Sequence, residues 1–324
     1  MIKVGIVGYG NLGKGVSLAV DKAQDMECVG IFTRRAPQSI KPLTDVKVYS
    51  MDMLNEFKGK IDVLLLCGGS ATDLPQNTAT VLKDFNTVDS FDTHAKIPEY
   101  YDKLEKVAKE NGTLAAISIG WDPGMFSIAR MLFGAVLPDG KDYTFWGKGV
   151  SQGHSDALRR IDGVVNAIQY TIPKEQALSA VRSGVKPELT TRDKHLRECF
   201  VAVKDGADKV AIEKQIKQMP NYFADYDTIV NFTTDEEVKK MQQKLAHGGF
   251  VIRSGNTTEQ NSQLLELSLK LDSNPEFTGS VLTAYGRAVA RLAKEGKTGV
   301  VTVFDVPIKY LSPLSDEQLR KNLL

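Results

Sequence analysis

The 324-residue sequence predicts an α/β protein of two domains, a doubly wound parallel sheet followed by an α+β domain on a mixed sheet. Strand and helix patterns alternate over residues 1–120, and longer strands of alternating polarity follow the segment Trp121-Asp122-Pro123-Gly124. The length also exceeds that of most domains with a single core. We therefore expect residues 1–120, completed by 275–324, to form the first domain and 121–274 to form the second.

A glycine fingerprint opens the chain. The apolar run Val4 to Val7 leads directly into Gly8-Tyr9-Gly10-Asn11-Leu12-Gly13, and a helix-compatible stretch over 11–24 follows. In such a strand–turn–helix unit the first glycine permits the turn, the second admits a pyrophosphate close to the backbone, and the third lets the helix pack on its strand. The helix N-terminus offers N–H groups to the same anion. The first domain is therefore predicted to be a Rossmann dinucleotide-binding domain.

The end of the second predicted strand, 27–32, indicates which dinucleotide binds. An NAD enzyme usually has an acidic residue there, which hydrogen-bonds the ribose 2′-hydroxyl. This sequence has Thr33-Arg34-Arg35, so no carboxylate repels a phosphate and two guanidinium groups are available to bind one. The sequence therefore predicts NADP, with a solvated basic turn as the alternative.

Other strands of the first domain end in glycine-rich or polar turns. The apolar run 61–67 is typical of a central parallel strand and ends in Cys67-Gly68-Gly69-Ser70, and a later strand ends at Ser90-Phe91-Asp92. Ligands of open α/β sheets bind beyond such carboxyl ends. The remaining elements expected in this domain are a strand near 46–49, helices near 51–57, 74–85 and 98–110, and a strand at 114–119.

The second domain is expected to contain strands with one buried face. From Leu265 to Leu271 every second residue is leucine and the residues between are polar, which is the period of a half-buried strand. A helix from Pro275 to Lys294 is long enough to return to the first domain. The other elements expected in the second domain are strands 142–148, 163–172, 195–204, 227–233 and 249–255, and helices 174–183, 208–218 and 234–246. A strand over 300–307 is expected to pack on the first domain.

The composition argues against several functional classes. Lys and Arg number 41 against 40 Asp and Glu, a formal charge of +1, so nothing in bulk indicates a nucleic-acid or membrane partner. No apolar run approaches the ~20 residues of a membrane span. The first strand begins at once, which leaves no room for a signal peptide. Cys28, Cys67 and Cys199 lack metal-ligand spacing, so we expect reduced thiols, a cytoplasmic location and no metal.

Two aspartates are candidates for proton transfer. Asp92 follows the fifth strand, at the sheet edge where a nicotinamide would lie, although a turn or N-cap carboxylate is an equal alternative. Asp122 precedes Pro123, and an N-cap is the favoured alternative for it taken alone.

Candidates in the second domain point to an anionic substrate. Segment 146–161 is rich in glycine and polar residues and breaks the strand pattern, so it is predicted to be a functional loop or a plain connector. His195, Arg197 and Cys199 share one face of a strand. An inward arginine needs an anion, either a substrate carboxylate or a structural partner. His247 is expected at a helix C-terminus, where a charged histidine is favoured whatever its function.

The whole sequence resembles the meso-diaminopimelate dehydrogenase family. The most specific motifs are Gly120-Trp121-Asp122-Pro123-Gly124-Met125-Phe126-Ser127 and Val150-Ser151-Gln152-Gly153-His154-Ser155-Asp156-Ala157-Leu158-Arg159-Arg160-Ile161. The resemblance implies a homodimer whose second domain binds substrate and dimerises. It implies reversible NADP-dependent oxidative deamination of the D-centre of meso-2,6-diaminopimelate to L-2-amino-6-oxopimelate and ammonia, a reaction of lysine and cell-wall precursor biosynthesis.

The resemblance also implies roles for single residues. Asp92 and Asp122 hold the reacting amino group and help to move its protons or activate water. The implied substrate-binding residues are Asp92, Asp122, Trp146, Gln152, Gly153, Thr171, Arg197, His247 and Asn274. The implied cofactor-binding residues are Gly8, Tyr9, Gly10, Asn11, Leu12, Gly13, Thr33, Arg34, Arg35, Cys67, Gly68, Gly69, Ser70, Ser90, Phe91 and Asp92.

Alternatives remain open at this stage. Asn274-Pro275 is also a good N-cap signal. Another two-domain NADP-dependent reductase, of the dihydrodipicolinate or homoserine type, is the alternative enzyme. A non-catalytic NADP-binding sensor is the alternative from a different class, and the two aspartates and the inward arginine disfavour it.

Overall fold

The computed structural model describes all residues, Met1–Leu324. The strands are β1 (Ile2–Val7), β2 (Met26–Thr33), β3 (Val48–Ser50), β4 (Val63–Leu66), β5 (Thr87–Asp89), β6 (Leu114–Ala116), β7 (Gly140–Trp146), β8 (Gly149–Val150), β9 (Val164–Pro173), β10 (His195–Val203), β11 (Asp227–Phe232), β12 (His247–Thr258), β13 (Asn261–Leu271) and β14 (Gly299–Val301). The helices are α1 (Asn11–Asp21), α2 (Asp73–Val81), α3 (Ile97–Asn111), α4 (Met125–Val136), α5 (Gln152–Arg159), α6 (Glu175–Arg182), α7 (Thr191–Lys194), α8 (Lys209–Lys217), α9 (Asp235–Gln242), α10 (Asn274–Lys294) and α11 (Asp316–Leu323).

The largest sheet confirms the doubly wound prediction. Its seven strands run in the order β14-β6-β5-β4-β1-β2-β3, and every neighbouring pair is parallel. The strand order reverses between β1 and β4, which makes their carboxyl ends the switch point where open α/β sheets bind ligands. Both faces are covered, because Val63 and Leu65 of β4 join one apolar cluster while Leu64 and Leu66 join another.

Two smaller sheets form the rest of the fold and confirm its mixed character. One has the order β11-β10-β9-β8, with β10 and β11 parallel and the other pairs antiparallel. The other has the order β13-β12-β7 and is antiparallel throughout. The leucine alternation expected in β13 is present, since Leu265, Leu267 and Leu269 are half-buried and the polar residues between them are exposed.

The chain divides into two compact units. The first contains Met1–Ile128 and Pro275–Leu324, and the second contains Ala129–Asn274. The division falls after Ile128, within α4, whereas the boundary expected from sequence is 120/121. Within the first unit α10 packs closely on α1. A Cβ on Gly15 would lie 2.5 Å from the Pro275 carbonyl oxygen, so this contact excludes any side chain.

Several elements differ from expectation. Segment 51–57 is a 3₁₀ helix, and the strand expected over 300–307 is only β14. The segment 146–161, predicted to be a loop, contains β8 and α5. The Ser155 hydroxyl fastens α5 by donating to the Ser151 carbonyl (2.7 Å) and accepting the Gln169 N–H of β9 (3.0 Å). None of the helices is long and apolar enough to cross a membrane.

Candidate functional site

The glycine turn after β1 has the form that a pyrophosphate site requires. Gly8 has a φ of +89°, and a Cβ on Gly13 would lie 2.3 Å from the Gly8 carbonyl oxygen, so both positions need glycine for backbone reasons. A Cβ on Gly10 would meet nothing within 4 Å. Gly10 therefore borders open space directly before the first residue of α1, Asn11, where helix N–H groups favour an anion.

Arg34 and Arg35 lie at the carboxyl end of β2, as predicted. The Arg35 guanidinium donates to the Tyr9 carbonyl (2.7 Å), which ties it to the glycine turn. Arg34 forms an ion pair with Asp73 and is 68% exposed. The Gly69 N–H, and after it Arg34, hold the pKa of Asp73 below its ordinary value. Thr33 is buried, and its hydroxyl accepts the Arg35 N–H (3.2 Å).

The turns after β4 and β5 meet through one hydroxyl group. Ser70 donates to the Ser90 carbonyl (3.4 Å) and accepts the Asp92 N–H (3.1 Å). The Cys67 N–H donates to the Val7 carbonyl (2.8 Å), so the turn after β4 also adjoins β1. The predicted cofactor segments 8–13, 67–70 and 90–92 therefore lie together at the carboxyl ends of β1, β4 and β5.

Asp92 is exposed, and Asp122 is half-buried in a tight turn before α4. Gly124 has a φ of +132°, and a Cβ there would lie 1.8 Å from the Gly120 carbonyl oxygen. Trp121 packs edge-on against Phe126 with ring centroids 5.3 Å apart. Because α4 begins at Met125, Asp122 does not directly precede the first helical residue, contrary to the N-cap alternative.

Asp89, a fully buried carboxylate at the end of β5, was not predicted as a site residue. One of its oxygens accepts the Phe91 N–H (3.0 Å) and the Ser118 N–H (3.2 Å), and the other accepts the Tyr100 hydroxyl (2.8 Å). Burial raises the pKa of Asp89 to about 6, although these hydrogen bonds oppose the shift. The only signal available in the sequence was an acidic residue at the end of the short strand Thr87-Val88-Asp89.

In the second unit, Arg197 lies in the core of the four-stranded sheet and is only 6% exposed. Its guanidinium donates to the Thr171 hydroxyl and lies over the Tyr226 ring, 3.9 Å from the centroid. Its Nε has no hydrogen-bond partner within the protein. Burial lowers the pKa of Arg197. The buried cation is thus held by a hydroxyl group and a phenol rather than by a carboxylate.

Three neighbouring strands place other predicted residues beside Arg197. Arg197 pairs with Thr171, and Thr171 pairs with Gly149 on the next strand. The His247 ring covers Gly149 so closely that a Cβ there would lie 2.3 Å from the ring. His247 accepts the Gly248 N–H at Nδ1 (2.8 Å). It begins β12 rather than ending a helix, so the helix C-terminus expected for it is wrong.

Three histidines of this unit have a lowered pKa. Burial is the main cause for each, and the positive charge of Arg197 lowers each one further. The pKa falls to about 4 for His154 and to about 3 for His195. These rings are therefore neutral near pH 7 and add no positive charge beside the Arg197 guanidinium.

His195 is a second residue whose role the sequence did not show. It is fully buried, accepts the Trp146 backbone N–H at Nε2 (2.9 Å) and stacks on the Trp146 ring with centroids 5.3 Å apart. Because Nε2 accepts, the proton of the neutral ring is on Nδ1, which has no partner within the protein. His195 thereby fixes the end of β7 that carries Trp146.

The remaining predicted residues lie at element ends in the second unit. Gln152 and Gly153 are exposed and form the first two positions of α5. Asn274 is half-buried at the first position of α10, and its N–H donates to the Leu245 carbonyl (2.8 Å).

Comparisons with known proteins identify the relatives of this chain. The family model described as diaminopimelic acid dehydrogenase C-terminal domain matches residues 120–273. The meso-diaminopimelate D-dehydrogenase of Acetivibrio thermocellus is 59% identical over 326 residues, covering 100% of this chain and 98% of the relative.

Solved structures show the same relationship. A mutant meso-diaminopimelate dehydrogenase from Clostridium tetani E88, solved with diaminopimelate, is 51% identical with a TM-score of 0.96 over 100% of both chains. An engineered D-amino acid dehydrogenase bound to NADP⁺ is 41% identical with a TM-score of 0.89, over 100% of this chain and 99% of that one. The predicted resemblance is confirmed: this chain belongs to the meso-diaminopimelate dehydrogenase family.

Proposed function

We propose that this chain catalyses the reversible NADP-dependent oxidative deamination of meso-2,6-diaminopimelate. The D-centre, water and NADP⁺ give L-2-amino-6-oxopimelate, ammonium, NADPH and a proton. The buried Arg197 carries the choice of substrate, because its observed partners are uncharged and a substrate with a second carboxylate would supply the missing anion. Family membership supports the same reaction.

The cofactor site follows from the first unit. The glycine turn of residues 8–13 receives the pyrophosphate, and Thr33, Arg34 and Arg35 receive the 2′-phosphate. Arg34 must exchange its contact with Asp73 for the phosphate or share it between the two. Residues 67–70 and 90–92 border the nicotinamide ribose. Bound NADP⁺ supplies the hydride acceptor.

Asp92 and Asp122 carry out the proton chemistry of the reacting end. Hydride leaves a carbon that bears a neutral amine, so a carboxylate beside the ammonium group is needed to accept a proton. After hydride loss the resulting imine is attacked by water, and the same pair of carboxylates orients that water and receives its proton. The Ser70 hydroxyl fixes the backbone of Asp92 during these steps.

The second unit recognises the unreactive L-centre. Arg197 and Thr171 bind its carboxylate, and His247 and Asn274 contact the same end. Charge-assisted hydrogen bonds of this kind contribute on the order of 1.5–3 kcal/mol each. Trp146 covers the substrate, while Gln152 and Gly153 contact it near the reacting end. Because Nδ1 of the neutral His247 accepts the Gly248 N–H, its Nε2 carries the proton and can donate a hydrogen bond to the carboxylate of the L-centre.

We further propose a homodimer located in the cytoplasm. The half-buried leucine row of β13 and the exposed Met131, Leu132 and Val136 of α4 support a self-association surface in the second unit. Three unbridged cysteines support a reducing compartment. Light scattering after gel filtration tests the dimer, and a monomeric mass at working concentration would contradict it.

Nicotinamide absorbance tests the reaction directly. Pure protein with NADP⁺ and meso-diaminopimelate should produce NADPH and ammonia in equal amounts, whereas the LL isomer, which has no D-centre, should produce neither. NAD⁺ in place of NADP⁺ should be used poorly. Binding of NADP⁺ without turnover of meso-diaminopimelate would instead support a sensor or a reductase of another specificity.

A further inference from the structure

Asp89 connects the two segments that carry the candidate catalytic aspartates. The Phe91 N–H, which directly precedes Asp92, and the Ser118 N–H, four residues before Asp122, both donate to the same carboxylate oxygen. A backbone hydrogen bond joins the same two segments, because the Ile119 N–H donates to the Asp89 carbonyl (2.8 Å). One buried side chain therefore fixes the starts of both loops.

The Ser118 backbone needs such a fixed partner. Its φ is +58°, a left-handed conformation that costs a serine free energy. The N–H bond to Asp89 is one contact that holds this conformation, and it directs the chain into the turn that contains Asp122. Without the carboxylate, the segment loses an acceptor that its conformation depends on.

Tyr100 connects the helices α3 and α2 to the same carboxylate. Tyr100 of α3 donates to the second oxygen of Asp89, and its hydroxyl also lies 2.8 Å from the Thr78 hydroxyl of α2. The Tyr100 ring stacks on Phe91 with centroids 4.2 Å apart, so the residue before Asp92 is held from its backbone and from its side chain. The groups that face the carboxylate are therefore two backbone amides and a phenol.

We propose that Asp89 is a positioning residue, which holds loops 90–93 and 118–124 so that Asp92 and Asp122 act on the same amino group. This proposal rests on the proposed function. With a pKa raised to about 6, the fully buried carboxyl is still mostly ionised above pH 7, although a neutral residue would avoid the desolvation penalty. The ionised form in turn accepts stronger, charge-assisted hydrogen bonds from the two backbone N–H groups.

The variant Asp89→Asn tests the proposal with little change of shape. We expect kcat at about pH 8 to fall roughly tenfold to a hundredfold, the scale of small misplacements at a reacting centre, with the NADP⁺ Michaelis constant within about twofold of wild type. The ratio of wild-type to variant kcat should shrink as the pH falls below about 6, because the wild-type carboxyl is then protonated too. The proposal would be overturned if the ratio of wild-type to variant kcat stayed near one at every pH, or if kcat fell by the same factor at every pH.

Thr87→Val is the matched control. Thr87 is fully buried on the same strand, and its hydroxyl has no hydrogen-bond partner within the protein, so its replacement should leave kcat unchanged. If Asp89→Asn does not fold, Tyr100→Phe removes one donor and keeps the ring stack. In that variant the acid-side fall of kcat should move to higher pH, and an unmoved profile would overturn the proposal.

Hydrogen–deuterium exchange separates this proposal from the proposed reaction. In Asp89→Asn, amides of segments 90–93 and 118–122 should exchange faster than in wild type, while segment 8–13 should not change. Hydrogen–deuterium exchange does not depend on activity. A wild type that fails to oxidise meso-diaminopimelate would therefore contradict the proposed function, while the exchange data would still test whether the Asp89 hydrogen bonds hold the two segments. Unchanged exchange in both segments would show that Asp89 does not hold them.

Discussion

The two compact units build their candidate sites from different parts of the chain. In the first unit the glycine turn after β1 presents backbone N–H groups, and Asp92, Arg34 and Arg35 are exposed. In the second unit the side chains of Thr171, His195 and Arg197 are almost completely buried. They lie on the paired strands β9 and β10. The first site is made of backbone and surface charges, and the second is made of buried polar side chains.

In the proposed function, the first site carries out catalysis and the second recognises the substrate. A backbone site at a helix N-terminus binds any suitable phosphate, and exposed carboxylates can exchange protons with water. A buried guanidinium with uncharged partners discriminates strongly, because a ligand that lacks the matching carboxylate leaves it unpaired. We therefore expect substitutions in the first unit to change turnover or cofactor choice, and substitutions around Arg197 to change substrate choice.

The largest effect is expected for Asp92→Asn. The amide keeps the shape and removes the base, so turnover should fall by about 10²–10⁴-fold while NADP⁺ still binds. Steady-state kinetics and cofactor titration measure the two properties. Asp102→Asn, an exposed position on α3, is the control. Turnover like wild type would reduce Asp92 to a turn residue.

Arg197→Met should change substrate preference. Loss of one or two charge-assisted bonds lowers kcat/KM for meso-diaminopimelate by roughly 10- to 100-fold or more, and turnover should fall too because remote binding orients the D-centre. Small D-amino acids without a distal carboxylate should be spared or favoured.

The exposed Arg192, which bonds Asp227, provides the matched Arg192→Met control. Equal losses on both classes of substrate in the Arg197 variant would contradict the claim that Arg197 recognises the far end.

Neutral replacements of both Arg34 and Arg35 should narrow the preference for NADP over NAD. We expect about a tenfold rise in the NADP⁺ Michaelis constant. The guanidinium groups are exposed, so this effect is smaller than the loss of buried charge-assisted hydrogen bonds would give. Competition assays with the two cofactors measure the ratio. Lys47, an exposed cation just before β3, is the control position. A preserved preference would require another 2′-phosphate site.

The smallest effect on turnover, and a measurable one on stability, is expected for His195→Gln. The folded-state pKa of His195 is lowered from 6.5 to about 3, so stability is lost as the pH falls below about 6.5, where the unfolded chain binds the proton first. By pH 5 the loss is about 2 kcal/mol.

Glutamine cannot protonate and can still accept the Trp146 N–H, so the fall in melting temperature between pH 7.5 and 5 should be smaller in the variant. His94→Gln, at an exposed position, should leave the fall unchanged. An equal pH dependence in wild type and His195→Gln would contradict a neutral, buried His195.

The same contrast explains what the sequence could predict. The glycine turn imposes fixed spacings, so Gly8, Gly10 and Gly13 and the arginines after β2 were predictable, as were the parallel sheet and the leucine alternation of β13. The convergence of buried side chains was not. Thr171 and Arg197 are 26 residues apart and meet only through the register of β9 and β10.

Two further features depended on long-range contacts. The hydrogen bonds of Asp89 join positions as far apart as 29 residues, and nothing in the local pattern indicates that Ser118 is its partner. The helix α5 was missed because glycine and polar residues weaken its local signal, whereas its bond to β9 through Ser155 stabilises it.

Isotope transfer tests the central claim most directly, namely that the first unit acts on the D-centre while the second holds the L-centre. Meso-diaminopimelate deuterated at the D-centre Cα should deliver its deuterium to C4 of the nicotinamide in an NADP-dependent reaction, as seen by mass spectrometry of the reduced cofactor. Substrate deuterated at the L-centre should give unlabelled NADPH. Label transfer from the L-centre, or from both centres, would contradict the account.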